Sequence, residues 1–575
     1  MRKIYIDFET FYSKEYSLRK LTPMQYILGP QYETIGCGIA IDDAEPKWLE
    51  GDKVATLLSK VTGSWMAISH NALFDMRVLA YRYGIRPPIS VDTMAIARAI
   101  LTPFLPRGSV SLQNVSDYLG IPKENKLALG NVLGWHLDAI KEHEESHYKP
   151  LRAMCLDDVR RCRLIYQQLS PKFSAQEHKI NDMVIRMATI PQFAMDVDKL
   201  LDHKVKLSAY KAALLAQTGV DKPSLMSNDK FAELLRNLGV EPGLKPSPAD
   251  PTKFTYAFAK TDVFMESLEE HDDPDVQALA AARLGHKSTL EETRTQRFID
   301  IASVTFDGTS SWFPVPLRFS GAHTHRFSGD DKLNAQNLPS RKSTLLRESL
   351  VAPPDHIVMS VDASQIEARL TAWLAGCTSM VNAFANAEDI YSIFATTIFG
   401  YPVIKKLKKE RMLGKISILG LGFGMGPPKF KDTVRIQSAG EHQIILDPDE
   451  AKRVVLLYRR TYPEIPAAWR FLDRMIERMH AGTAEGTKWG PVTFENNAVV
   501  LPSGLRLFYR DLRYNDGKWS YWDGQKRKSL WGGTFMENIV QALDRQAVME
   551  AAVRIDRRIK AAGITLEPSS YLQWS

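Results

Sequence analysis

The sequence predicts a chain of several domains in mixed classes, α/β in the N-terminal third and α+β beyond it. Three observations carry this reading. At 575 residues the chain far exceeds what one hydrophobic core needs, so three or four structural units are expected. Residues Ile4 to Glu9 alternate like a half-buried strand and are followed by helical patterns around Val78 and from Met154 to Leu169. Much later, the apolar run from His356 to Val361 reads as a buried strand ending at Asp362, which passes into an apolar helix reaching Leu374.

Composition narrows the classes. A charged fraction of 25% and a hydrophobic fraction of 44% describe an ordinary globular chain. The net charge of +7 only mildly favours an anionic partner, but the cations cluster at Lys405, Lys406, Lys408, Lys409 and Arg411, at Lys526 to Lys528, and at Arg554, Arg557, Arg558 and Lys560. The four cysteines, Cys37, Cys155, Cys162 and Cys377, form no CxxC, which suits a reduced cytoplasmic compartment. Asp7 and Glu9 interrupt any signal-peptide core, and no apolar run approaches the ~18 residues a membrane span needs. No membrane association is expected, and nothing indicates an oligomer.

In the first strand, Ile4, Ile6 and Phe8 point one way and Tyr5, Asp7 and Glu9 the other. Two carboxylates side by side repel unless a cation lies between them; an exposed polar strand face is the plain alternative. Four-residue spacing then places Asn71 and Asp75 on one face of the next helix, and Asp157 and Asp158 sit within the helical stretch that ends near Leu169. Asp7-Phe8-Glu9, Asn71-x-x-Phe74-Asp75 and Asp158-Val159 together resemble the three motifs of the DEDD 3′→5′ proofreading exonucleases. The resemblance spans about residues 1–173 and implies an RNase H-like fold. It implies that Asp7, Glu9, Asp75 and Asp158 are metal ligands for two Mg²⁺ ions about 3.5–4 Å apart, with Mn²⁺ an acceptable substitute. The family's water-orienting Tyr or His, four or five residues before the last Asp, is replaced by Met154 or Ala153, and Tyr148 is at the wrong spacing. Metal binding with weakened hydrolysis is the expectation.

Residues 174–315 read as helices broken by Pro-rich loops such as Glu241-Pro242-Gly243, and carry no identifying motif. By position they resemble a connector and thumb. The C-terminal half is richer. Gly321 to Gly329 leads into Asn334-Ala335-Gln336-Asn337-Leu338-Pro339. Asp362-Ala363-Ser364-Gln365-Ile366-Glu367-Ala368-Arg369 follows, and then Arg411-x-x-x-Lys415-x-x-x-Leu419-Gly420-x-x-Phe423-Gly424. Four-residue steps put Arg411, Lys415, Leu419 and Phe423 on one slowly drifting helical stripe, two cations followed by two apolar groups. Leu501 to Arg506 and Glu537 to Ala542 complete the ordered set.

These segments resemble the family A DNA polymerases, of the phage type that carries an N-terminal exonuclease. The resemblance implies a right-hand fold: palm in 316–375 and 501–575, fingers in 376–500. It implies primer–template DNA and deoxynucleoside triphosphates as partners. Asp362 would be a catalytic metal ligand, and Glu367 would lie under the deoxyribose. Arg411 and Lys415 would bind the triphosphate, with Lys415 also a proton donor to pyrophosphate. Leu419 and Phe423 would line the nucleotide site, and Arg326, Asn334, Gln336, Asn337 and Gln541 would contact DNA. Minor-groove acceptors are shared by all base pairs, so such donors test pair geometry rather than sequence.

Two positions depart from the pattern. Leu419 replaces an aromatic residue, which predicts discrimination against dideoxynucleotides; Phe423 replaces a Tyr, leaving Glu367 without its hydroxyl donor. The family's final His-Asp-Glu motif does not appear after Ile564-Thr565-Leu566, where Glu567-Pro568 follows instead. A truncated palm is therefore expected, with Asp362 short of a partner carboxylate. Template-directed synthesis in phage replication, in the host cytoplasm and with proofreading, is the leading expectation. A chain acting only as a 3′→5′ exonuclease, or as a non-catalytic primer–template binder, is the alternative.

Overall fold

The computed structural model describes residues 1–61, 63–125, 127–128, 130–247, 250, 252–339, 343–438 and 443–562. The expected strand at Ile564 to Leu566, with Glu567 and Pro568, lies outside the described residues. Two compact units are present. One gathers residues 1–192, 314–337 and from 357 onward; the other is 193–313 with 338–356.

The first unit begins with a five-stranded sheet made of β1 (Arg2–Thr10), β2 (Thr34–Ile41), β3 (Lys47–Leu49), β4 (Trp65–Ser69) and β5 (Ile89–Asp92), in the order β3-β2-β1-β4-β5. The β1–β2 and β2–β3 pairs are antiparallel, whereas β1–β4 and β4–β5 are parallel. Helices cover it: α1 (Ala72–Arg82), α2 (Lys149–Leu169) and α3 (Ala175–Thr189). α2 buries Cys155, Val159, Cys162, Tyr166 and Leu169, a 3.6-period stripe against the sheet. Gly38 of β2, opposite Asp7 in register, allows this approach: a Cβ there would lie 2.9 Å from Val159 and 3.0 Å from Cys155 Sγ. At the other edge, Ser90 and Asp92 of β5 donate their N–H groups to Asp182 Oδ1 (2.8 Å) and Asn181 Oδ1 (2.9 Å) of α3. Side chains thus satisfy an edge that would otherwise present unpaired donors.

The same unit continues into α4 (Ile366–Ala375), α5 (Lys408–Leu421) and the 30-residue α6 (Gly532–Ala561). Residues 498–508 form an antiparallel hairpin with Val500 opposite Arg506, turning at Gly504, whose φ of +86° suits glycine. On α6, fully buried Arg545 holds Glu177 of α3 through two contacts of 2.5 and 2.7 Å.

The second unit has its own core. Phe231, Phe258, Met265 and Leu279 pack together among helices that include Asn228–Asn237, Val263–Glu269 and Pro274–Lys287. A three-stranded antiparallel sheet joins Phe193–Met195 to Ser311–Phe313 and Leu350–Val351.

Two sequence-based expectations are corrected here. Residues 357–362 do not form a buried strand: the segment is irregular, with Ile357 79% and Val361 85% exposed. The run has strand-like composition, but a central strand is stable only between neighbours, and no described strand pairs with it. The stripe of α5 is also shorter than expected. The helix ends at Leu421, and Phe423 lies in the following turn, where Gly424 takes φ +78°.

Candidate active sites

The first site lies on β1. Burial of Ile4, Ile6 and Phe8 in the core fixes the register that turns Asp7 and Glu9 toward α2. Asp75, on the first turn of α1, is 3% exposed and accepts the Phe8 N–H at 3.2 Å, which ties the helix to the strand. Asn71 sits just before that helix in the left-handed region, φ +79°, rather than within it. On α2, Asp158 is paired with Arg161 three residues on.

Electrostatics mark these four carboxylates as one group. Burial, then the charge of Asp158, pushes Asp7 up to about 7. Glu9 is raised well above the carboxylate range by burial and by Asp7, Asp158 and Asp75; Asp75 is raised by burial and by Asp7. Burial raises Asp158, against the pull of Arg161. Arg161 offsets the charge of Asp158; crowding of the remaining buried carboxylates is the condition that favours a divalent ion bound by hard oxygens. Asp7 and Glu9, with ligand atoms within 4.8 Å of one another, fit such an ion; Asp75 and Asp158 do not join that close group.

Cys155 is the residue that sequence reasoning missed. Its Sγ lies 3.3 Å from Asp7 Oδ2, and Asp7, Glu9 and Cys155 have ligand atoms within 4.8 Å of one another. Its position, three residues before Asp158 on the same helix, was the available signal. Tyr148 is turned elsewhere: its hydroxyl donates to Glu50 at 3.0 Å and accepts from Trp48 Nε1 at 3.2 Å. Met154 packs on the apolar core.

The second site is assembled from four segments. The loop 321–329 closes on itself through Ala322 N–H to Arg326 O (3.1 Å) and His325 N–H to Ala322 O (3.0 Å). His325 holds φ +60°, anchored by Ser320 Oγ at 2.7 Å and by the Arg506 carbonyl at 3.0 Å. Burial, then Arg545, pushes His325 down to about 3; burial pushes His323 down to about 4. The loop, held by these hydrogen bonds, aims Arg326 between two helices. Its Nη2 donates at 2.5 Å to Glu367 Oε1 on α4 and at 2.5 Å to Asp544 Oδ2 on α6. Further along α6, Gln541 Nε2 donates to Glu537 at 3.3 Å. Asn334 caps the short turn Ala335–Asn337 by accepting the Gln336 N–H at 3.1 Å.

On α5, Arg411 makes a forked pair with Asp389 at 2.5 and 3.1 Å and lies over the Tyr391 ring. Lys415 is half-buried one turn on, and Leu419 is 36% exposed. Asp362 is exposed. Among the described residues, the one group of three or more His, Cys, Asp or Glu placed to hold a metal is Asp7, Glu9 and Cys155; none forms at Asp362. The described residues do not fit a metal centre there.

Residues 200–490 match the family model "DNA polymerase family A". The chain belongs to that family. Over 644 aligned residues it is 23% identical to the DNA polymerase of Bacillus phage SP02, covering 97% of this chain and 91% of the relative. The DNA polymerase of Mycobacterium phage D29 is 25% identical over 76% of this chain and 69% of its own length. DNA polymerase I of Synechocystis is 24% identical over 72% of this chain, which spans only 40% of that enzyme. In fold, the chain is similar to the POL domain of Pol1 from M. smegmatis, solved in complex with DNA primer-template and dNTP. The TM-score is 0.62 at 15% identity, over 98% of this chain and 86% of that one.

In this family A chain the matched span holds Arg326, Asn334, Gln336, Asn337, Asp362, Glu367, Arg411, Lys415, Leu419 and Phe423. The carboxylates of β1, α1 and α2, and Gln541 with Asp544 on α6, lie outside it and stand on their geometry. No described helix is long and apolar enough to cross a membrane.

Proposed function

We propose that this family A chain extends DNA primers on a template and that its N-terminal sheet houses a 3′→5′ exonuclease. The synthesis reading rests above all on Arg326 joining the loop 321–329, α4 and α6 around Glu367. That convergence would put a donor for the primer–template minor groove beside a carboxylate facing the nucleotide sugar. The reaction is attack of the primer 3′-hydroxyl on the nucleotide α-phosphate with loss of pyrophosphate. Arg411 and Lys415 offset the triphosphate charge, and Lys415 donates a proton to the leaving pyrophosphate. Arg411 must first exchange Asp389 for phosphate, so its fork is preformed but engaged.

In the exonuclease, Asp7, Glu9, Asp75 and Asp158 would hold Mg²⁺, which when bound activates water and stabilises a leaving 3′-oxygen. The Phe8 N–H orients Asp75, the Cys155 thiol holds Asp7, and Arg161 steadies Asp158. A second reading, exonuclease alone, is favoured by one observation: among the described residues no group of three or more His, Cys, Asp or Glu placed to hold a metal forms at exposed Asp362.

Primer extension and single-strand degradation, measured on one preparation with Mg²⁺, decide between them. Both activities are expected, with Asp7→Asn abolishing degradation alone and Lys415→Ala abolishing extension alone. Degradation without extension establishes the second reading. DNA retention with neither activity leaves only a primer–template binder and sinks both.

A further inference from the structure

On α6, Glu537, Gln541 and Asp544 recur at steps of four and three residues and so share one face. Asp544 is the most deeply placed of the three, 5% exposed. A carboxylate buried to that degree is costly unless a cation or donor meets it. Arg326 does so, but through the same Nη2 that holds Glu367. One guanidinium nitrogen is therefore shared by two carboxylates on two helices, and where it rests depends on both.

Glu367 needs this support. Phe423 carries no hydroxyl and lies beyond the end of α5, and among the described residues the hydrogen-bond donor to Glu367 is Arg326. Arg326 in turn is anchored at its far side by Asp544, on a helix that Arg545 locks to Glu177. The chain of contacts Asp544–Arg326–Glu367 thus runs from a helix anchored by the Arg545–Glu177 pair to the carboxylate proposed to face the sugar.

We propose that Asp544 is a positioning residue for sugar selection: through Arg326 it sets where Glu367 stands, and with it the discrimination between deoxyribo- and ribonucleotides. This rests on the polymerase reading above. It differs from that reading in assigning the role to a residue that need not touch DNA or nucleotide.

The test is equilibrium binding of dGTP and GTP to the full chain on a dideoxy-terminated primer opposite a template cytosine, so that no chemistry intervenes. The quantity read is the ratio of the two dissociation constants. The wild type is expected to prefer dGTP, and Glu367→Ala to lose that preference. Asp544→Ala should reduce the ratio about tenfold, the scale of one lost charged hydrogen bond, and Asp544→Asn, which keeps the shape and one acceptor, should fall between. A purely structural Asp544 lowers the melting temperature and both affinities while leaving their ratio at the wild-type value. That result, with Glu367→Ala still collapsing the ratio, overturns the inference alone. If the wild type binds both nucleotides equally, or Glu367→Ala keeps the preference, the polymerase reading of Glu367 is wrong and the inference falls with it.

Discussion

Arg77 and Asp331, 254 residues apart, meet in a two-pronged ion pair, Nη2 to Oδ2 at 2.5 Å and Nη1 to Oδ1 at 3.3 Å. Arg77 is 2% exposed, two residues past Asp75 on α1, and Asp331 sits in the turn just before Asn334. The pair links the helix of the carboxylate cluster to the loop that leads into the proposed DNA contacts.

Asp331→Asn leaves a buried guanidinium without its counter-charge. It should cost about 3 kcal/mol, the low end for breaking a buried pair. Urea unfolding should show an earlier midpoint for the transition of this unit; an unchanged midpoint would mean that the pair contributes nothing net.

The pair between Arg545 and Glu177 is more deeply buried, with both side chains 1% exposed. Removing one charge, as in Glu177→Gln, should destabilise by roughly 3–5 kcal/mol. The double variant Glu177→Met with Arg545→Met should recover most of that loss, because no lone charge remains in the interior. Recovery absent from the double-mutant cycle would show that stacking of the Arg545 guanidinium over Phe319 and Phe327 matters more than its ion pair with Glu177.

Gly38→Ala inserts a methyl group 2.9 Å from Val159 and 3.2 Å from the Cys155 carbonyl, so α2 must move off the sheet. A cost of about 1–3 kcal/mol is expected, along with loss of single-strand degradation, since Asp158 rides on α2. Primer extension should be retained. Full degradation by this variant would show that α2 can shift without disturbing the carboxylates.

His325 is held neutral in the fold, far below its unfolded value near 6.5. Between about pH 6.5 and 3 the unfolded chain therefore binds the extra proton, and stability falls as the pH is lowered through that window. The slope is about 1.4 kcal/mol per pH unit for one histidine. His325→Asn tolerates φ +60° and cannot titrate, so its stability should fall less steeply on acidification than that of the wild type. Parallel curves would show that His325 does not set the acid limb.

Much of this was legible locally. Alternation in Ile4 to Glu9 identified β1 and put Asp7 with Glu9, and the helix from 149 to 169 ended where its apolar spacing stopped. Asp544 was not legible, and Cys155 only through its spacing from Asp158. A cysteine and an aspartate on helices carry no mark of which side chain lies across from them, and their partners are 148 and 218 residues away.

By itself the sequence determined the periodic elements, the family-like order of motifs and the identity of most candidate site residues, because these depend on neighbours along the chain. The tertiary structure alone decided that Glu367 is held by Arg326, which Asp544 shares, that Cys155 touches Asp7, and that residues 357–361 stand exposed rather than as a buried strand. The reason is physical: a strand or an ion pair is completed by groups far off in the chain, and local composition states only what a segment can do once they arrive.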